Sequence, residues 1–253
     1  MNPKSPHISL ITVTYNAAEV LERTILSIIN QSFSDYEYII IDGNSTDGTI
    51  ELIKKYQSKI SKTLIEPDSG LYDAMNKGMQ MAEGEYIWFM NAGDQLYDTD
   101  TLTQLFQTGS EADIIYSDTL VVSKAGEEIG LLSRLTHNNA PANLTWKRMN
   151  KGMVVCHQSF IVRKSIAPPF HLRYRYSSDV DWVIKCLKNA RTTHHSEHIL
   201  TRFLNAGLSK QKLKEAMKER FLILSHHFGI VPNLFNHLIM LFRYLLKGRK
   251  SKV

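Results

Sequence analysis

Asp and Asn side chains recur in four short segments of this chain, each of which follows a run rich in branched or aromatic residues. The segments are Thr14-Tyr15-Asn16, Asp42-Gly43-Asn44-Ser45, Glu66-Pro67-Asp68-Ser69-Gly70 and Asn91-Ala92-Gly93-Asp94. Helix capping accounts for Ser45 or Asp68 taken singly, but not for an Asp or Asn in every loop. Converging carboxylates and amides suit a ribose, a base edge and a divalent cation (Mn2+ or Mg2+) holding a diphosphate, because such hard cations prefer carboxylate and carbonyl oxygens. Other chemistries lack their residues. No G-x-G-x-x-G follows the first run, and Gly43–Thr49 has two glycines but no Lys, so neither a dinucleotide fold nor a P-loop is supported. There is no G-x-S-x-G elbow and no H-E-x-x-H. The run His194-His195-Ser196-Glu197-His198 reads as surface histidines before a strand.

Those loops need elements to aim them. His7–Thr14 is a β-branched run and Tyr36–Asp42 another, with shorter strand signals at Thr63–Glu66, Glu85–Asn91 and Asp113–Ser117. Helical spacing fills the intervals at Ala17–Asn30, Thr49–Ser58 and Leu71–Ala82, with Ser45-Thr46-Asp47 supplying capping oxygens. Strands alternating with helices predict right-handed βαβ units, a mostly parallel α/β sheet with helices on both faces, and a site at the carboxyl ends of the strands. After residue 117 the pattern changes. Leu120–Ser123 and Glu127–Leu132 predict a hairpin, Leu135–Gly152 is irregular, Met153–Val162 reads as a strand, Ser178–Asn189 as a helix and Ile199–Leu204 as a strand. Lys210–His227 and Pro232–Leu246 predict two C-terminal helices.

The 253 residues are 43% hydrophobic and 22% charged, as in an ordinary folded chain rather than a disordered or polytopic membrane one. Residues 210–253 hold ten Lys/Arg against Glu215 and Glu219, a balance of +8. The whole chain carries +5, so the first 209 residues carry −3. A body of that sign argues against nucleic-acid binding. Cys156 and Cys186 have no metal-type spacing and are expected to be buried free thiols of a reducing compartment. The polar start Met1–His7 is unlike a secretory leader, and no uncharged apolar run is long enough to span a bilayer. A cytoplasmic location is expected. The predicted organisation is a catalytic domain over 1–209, with a donor half at 1–118 and an acceptor half at 119–209, and a basic helical appendage at 210–253.

The chain resembles the family 2 glycosyltransferases, inverting nucleotide-sugar enzymes of the GT-A fold. The resemblance runs through Ser9–Asn16, Ser27–Phe33 and Tyr38–Thr49. It is densest in Glu66-Pro67-Asp68-Ser69-Gly70-Leu71-Tyr72-Asp73-Ala74-Met75-Asn76-Lys77-Gly78, and continues in Ala82–Ile87 and Asn91–Asp94. These segments are similar to the bacterial enzymes that build O-antigen, capsule and other surface polysaccharides. The match is strong over 8–118 and looser over 150–209.

Roles follow from the resemblance residue by residue. Thr14, Tyr15, Asn16 and Asp42 correspond to positions that hold the donor nucleoside, with Gly43 where many relatives carry a second acid. Asp68, Asp73, Asn76 and Lys77 match the loop and helix beside the donor, and the last three share one helical face by spacing. Asn91–Asp94 lies where the family has its metal-binding D-x-D, which makes Asp94 the expected metal ligand and Asn91 a donor-site residue. Asp179, in Tyr176-Ser177-Ser178-Asp179-Val180-Asp181-Trp182, matches the catalytic Asp. His157 and Asp181 are expected near the acceptor and diphosphate, and Phe203–Ser209 resembles a segment that closes the site.

The implied reaction is a single displacement. Asp179 takes a proton from an acceptor hydroxyl, which attacks the anomeric carbon opposite the leaving diphosphate. The resemblance implies a divalent cation and a nucleotide-sugar donor, UDP-linked by expectation. It also implies a glycan or lipid-linked sugar acceptor, and leaves a homo-oligomer open. Two alternatives remain at this point: a nucleotidyltransferase, and a catalytically impaired nucleotide-sugar-binding scaffold, the latter suggested by Asn91 and Gly93. Leu234, Phe235, Leu238, Ile239, Leu241, Phe242, Leu245 and Leu246 form an apolar stripe ending in Arg243, Lys247, Arg249, Lys250 and Lys252. Such a helix either lies in a membrane interface, peripheral on the cytoplasmic face, or packs on protein.

Overall fold

The computed structural model describes residues 5–107, 111–136, 140–205 and 212–236. A seven-stranded sheet forms the centre. Its strands are β1 (Ile8–Thr14), β2 (Tyr36–Asp42), β3 (Lys62–Ile65), β4 (Tyr86–Phe89), β6 (Ile114–Tyr116), β9 (Phe160–Arg163) and β10 (Thr193–His195), in the order β10-β6-β9-β4-β1-β2-β3. β4, β1, β2 and β3 run parallel, with Thr14 opposite Asp42 and Asp42 opposite Ile65. β9 runs antiparallel to both neighbours. A second sheet joins β5 (Gln95–Leu96), β11 (Thr201–Leu204), β7 (Thr119–Val122) and β8 (Glu128–Leu131). The expected hairpin is β7–β8, antiparallel.

Alternation along the central strands builds two cores, one on each face. Leu10 and Ile40 join Leu21, Ile25 and Ile28 of helix α1 (Ala18–Ile29) and Ile53 of α2 (Thr49–Lys55). Ile11, Ile39 and Phe89 join Tyr72 and Met75 of α3 (Leu71–Met81) and Trp182, Val183 and Leu187 of α6 (Ser178–Asn189). Burying each such side chain contributes about 1.5–3 kcal/mol, which fixes the register of every strand. Gly78 lets α3 lie close on β1: a Cβ there would stand 2.5 Å from Ile11 Cγ2.

The short helices α4 (Thr101–Gln107) and α5 (Leu132–Leu135) complete the body, and α7 (Leu213–Phe228) packs Ile223 and Leu224 into the same core as Trp182.

Three sequence expectations change. Met153–Val162 is a strand only from Phe160. The residues before it turn, with Ser159 N–H donating to Cys156 O and the Trp88 indole donating to Gln158 O at 2.6 Å. His194 and His195 lie within β10 rather than ahead of a strand, paired with Ile115 and Tyr116. Thr101–Gln107 is a helix that the sequence reading left unassigned. Cys156 and Cys186 are free and buried as expected. The expected helix over Pro232–Leu246 lies outside the described residues beyond Asn236, and so does the closing segment from Ala206 to Ser209.

Candidate active site

The ends of β1 and β2 are laced together. Asn16, at φ 46°, gives its N–H to Ser45 Oγ at 2.8 Å and accepts the Thr46 N–H on Oδ1 at 2.9 Å. Asp42 is fully buried and accepts both the N–H (2.8 Å) and the hydroxyl (2.6 Å) of Ser45. Asp47 caps α2 through the Thr49 N–H and also accepts the Ala18 N–H, so α1 and α2 start from one knot. Thr14 Oγ1 is buried with no hydrogen-bond partner, while the Tyr15 ring is 66% exposed above.

Gly43 has a steric reason. A Cβ there would stand 2.6 Å from Asp68 Oδ2 and 3.1 Å from the Tyr15 ring. The Asp68 carboxylate, from the loop after β3, thus stands over position 43. That loop is held by its neighbours. Asp68 Oδ1 accepts the Gly70 N–H at 2.8 Å, and Asp73 Oδ2 accepts the Ser69 N–H at 2.9 Å. Lys77 donates to Pro67 O at 2.9 Å and pairs with Glu66 at 2.8 Å. Asn76 clasps the Phe170 backbone, donating to its carbonyl (3.0 Å) and accepting its N–H (2.7 Å). Asp73, Asn76 and Lys77 therefore hold loops in place, each through bonds already made within the chain.

Asn91–Asp94 turns beneath β11. Gly93 has φ 101°, and a Cβ there would stand 2.5 Å from Leu204 Cδ2. At that φ any side chain is strained, which accounts for glycine rather than an acid at the third position of the run. Asp94 is 4% exposed and accepts the Leu204 N–H at 2.8 Å. Burial pushes its carboxyl up to about 8. Asn91 Oδ1 is buried without a partner. One buried carboxyl and one orphaned amide oxygen are hard donors that fit a divalent cation whose remaining ligands are phosphate and water. Among the described residues no group of three or more His, Cys, Asp or Glu converges as a self-sufficient metal cage.

The chain after residue 118 contributes α6 and the segment before β9. Asp179 is half-buried at the start of α6, and the Tyr72 hydroxyl of α3 donates to its Oδ1 at 3.0 Å. Burial, and then the Asp179 charge, hold the Tyr72 phenol well above its ordinary value, so it remains a donor. Tyr72 stacks on Phe170 (5.4 Å), which meets the His157 ring edge-on at 5.8 Å. His157 also stacks on Phe89 at 5.6 Å. Its pKa is lowered by burial, with Asp179 pulling the other way, and its Nε2 is buried without a partner. A cavity of about 220 Å³ opens beside this group, lined among others by Tyr72, Asp73, Tyr174 and Arg175.

Asp181 does not join them. Two residues from Asp179 on a helix puts it on the far side of α6. There it accepts from His227 at 2.7 Å and pairs with Lys185 at 2.7 Å. Its position corrects the expectation that it borders the acceptor: it fastens α6 to α7. Tyr72 sits within the densest motif, yet the sequence reading gave it no role. An aromatic hydroxyl in the first turn of α3 was the available signal.

A family profile described as glycosyl transferase family 2 matches residues 9–167. The chain belongs to glycosyl transferase family 2. A PGL/p-HBAD biosynthesis glycosyltransferase of Mycobacterium bovis is 30% identical over 237 residues, covering 89% of this chain and 88% of the relative. The putative teichuronic acid biosynthesis glycosyltransferase TuaG of Bacillus subtilis is 29% identical, covering 85% and 86%. Residues 1–349 of S. aureus TarS, crystallised with UDP, share the fold at TM-score 0.65 and 19% identity, covering 86% of this chain and 65% of that one. The family 2 chain is an enzyme of the GT-A fold, an inverting glycosyltransferase that uses a nucleotide-sugar donor. Membership also decides against a nucleotidyltransferase.

Proposed function

We propose that this family 2 enzyme transfers a sugar from a UDP-linked donor to a hydroxyl of a cell-surface glycan or lipid-linked acceptor. One observation carries the site assignment. Thr14 Oγ1, Asn91 Oδ1 and His157 Nε2 are buried polar atoms without a hydrogen-bond partner, and they belong to residues at the carboxyl ends of β1 and β4 and just ahead of β9. Their placement at the strand ends where the family motifs lie supports a polar ligand there. Tyr15, Gly43 and Asp68 form the nucleoside wall, and the TarS structures with UDP and UDP-GlcNAc support a uridine there. The names of the mycobacterial and Bacillus relatives support the acceptor class.

Asp179 acts as the base. Its Oδ1 is fixed by Tyr72, which leaves Oδ2 to take the acceptor proton as the hydroxyl attacks the anomeric carbon. His157 stays neutral in its aromatic cage and offers Nε2 to the acceptor or the diphosphate. Asn91 and Asp94 would hold a divalent cation, supported by the Mn2+ named with GDP-Man for the mannosyltransferase PcManGT from Pyrobaculum calidifontis. When bound, that cation neutralises charge on the leaving diphosphate. Inversion needs one displacement and no enzyme nucleophile.

Peripheral membrane attachment through the C-terminal segment belongs to the same reading. Ile230, Val231 and Phe235 are 62%, 77% and 64% exposed, ahead of the basic residues. No described helix is long and apolar enough to cross a membrane. The deciding experiment is a panel of nucleotide-sugars. A donor raises the unfolding temperature and, with an acceptor, releases its nucleoside diphosphate. A panel in which a nucleotide-sugar stabilises the chain but none is consumed would leave the impaired-scaffold alternative, and one in which none does either would overturn the donor reading.

A further inference from the structure

The loop that leads into the Asp179 helix is fastened by one carboxylate from α7. Glu219 Oε1 accepts the Arg175 N–H at 2.8 Å, and Oε2 accepts those of Tyr176 (2.8 Å) and Ser177 (3.0 Å). The Ser177 hydroxyl then donates to Ala216 O at 3.1 Å, one turn earlier on α7. Ser177 is the residue before α6, and its side chain caps nothing within its own helix. Three backbone donors on one ionised acceptor make a charge-assisted clasp, and the negative charge lies at the favourable end of α6. The clasp ends two residues before Asp179. The same loop carries Tyr174, Arg175 and Tyr176, which line the cavity beside Tyr72.

We infer that Glu219 is a positioning residue for the transfer reaction, fixing the 175–177 backbone so that Asp179 and the cavity wall keep their places against Tyr72. This inference rests on the reading of Asp179 as the base. It makes α7, within the segment that the sequence reading separated as an appendage, part of what sets turnover. A base displaced by about 1 Å can lose on the order of 10²-fold in rate.

The test uses the full chain. Glu219→Ala should lower kcat by about 10- to 100-fold while the dissociation constant for nucleoside diphosphate, measured calorimetrically, stays within about twofold. Glu219→Gln keeps one acceptor oxygen and should fall between Ala and wild type, and it serves if the Ala variant does not fold. His227→Gln is the control for docking alone. It removes the imidazole that ties α7 to α6 through Asp181 at 2.7 Å and Lys188 at 2.9 Å, and should lower Tm yet keep kcat within about twofold. In an Asp179→Asn background, Glu219→Ala should cost nothing further, because the residue acts through Asp179.

Wild-type kcat in Glu219→Ala would overturn the inference. So would an equal loss of kcat in His227→Gln, or a full multiplicative loss in the double variant. Undiminished turnover by Asp179→Asn alone would instead remove the base assignment, before Glu219 is altered at all.

Discussion

The Tyr72 hydroxyl donates to Asp179 Oδ1 across 3.0 Å, joining α3 to α6 over 107 residues of sequence. The bond occupies one carboxylate oxygen and leaves the other for the acceptor. Asp179→Asn should therefore lower kcat by about 10²–10⁴-fold with donor binding nearly intact. Tyr72→Phe, which frees Oδ1 but keeps the stack on Phe170, should cost less, about tenfold. Single-turnover rates at saturating donor check both. Near-normal turnover in Asp179→Asn would send the search for the base elsewhere.

Asp94 links pH to stability. Its folded-state value, about 8, lies above the ordinary 3.8 because burial penalises the charged form. The stability associated with the protonated carboxyl is fully present below about pH 4 and is lost as pH rises through about 8. Asp94→Asn removes that loss. With chelator present, the variant should melt above wild type by a margin that grows from pH 4 to 8 and then levels. Each kcal/mol is about 2–4 °C for a chain of this size. A constant margin across pH would show that Asp94 is ionised in the folded protein.

Asp94→Ala, which removes the donor oxygens outright, tests the cation site. Nucleoside diphosphate affinity of the wild type should rise with Mn2+, and in Asp94→Ala the values with Mn2+ and with chelator should converge. A persisting metal effect of wild-type size would move the ligand to another carboxylate, such as Asp118.

Asp68 and Gly43 should behave as one unit. Asp68→Ala removes the carboxylate that stands over Gly43, and Gly43→Ala drives a methyl into it at 2.6 Å. Each is expected to weaken donor binding about tenfold, roughly 1.4 kcal/mol, while kcat at saturating donor changes little. Titration with UDP would read this directly, and unchanged affinity in both would take Asp68 out of the nucleoside wall.

Removing residues 237–253 tests the membrane reading without disturbing Asn233, which is 1% exposed and donates to Phe221 O and Ser225 Oγ. The full chain should sediment with anionic liposomes in a salt-sensitive way, and the truncated one should not. Equal behaviour of the two would favour packing on protein.

Much of this architecture was legible because it is written locally. β1 is rich in β-branched residues and β2 carries three consecutive Ile, α1 and α3 carry apolar residues at helical spacing, and Ser178–Asn189 has acids in its first turn and a buried stripe. The donor loops followed from strand ends. The limits of β9 were not legible: Val154, Val155 and Cys156 are as apolar as Phe160–Val162, and the turn ahead of the strand is held by long-range bonds such as Trp88 to Gln158 O, 70 residues apart, and Ser117 N–H to Ser159 O. Nor was β10, a three-residue edge strand of Thr and His with no apolar alternation. Within the site, residue type did not separate Asp179 from Asp181, since only their directions around α6 differ. The clasp of Glu219 left no trace, as one of two acids in a basic segment reads as a solvated charge.

β9 enters the sheet between β4 and β6, although it is made some 70 residues after β4. On the ribosome, the donor half therefore emerges with the outer edge of Tyr86-Ile87-Trp88-Phe89 bare, four residues that are all buried in the finished fold. Edges of that kind recruit other chains. The stretch of synthesis between residues 90 and 160 is therefore the interval in which one apolar strand lacks its eventual neighbour.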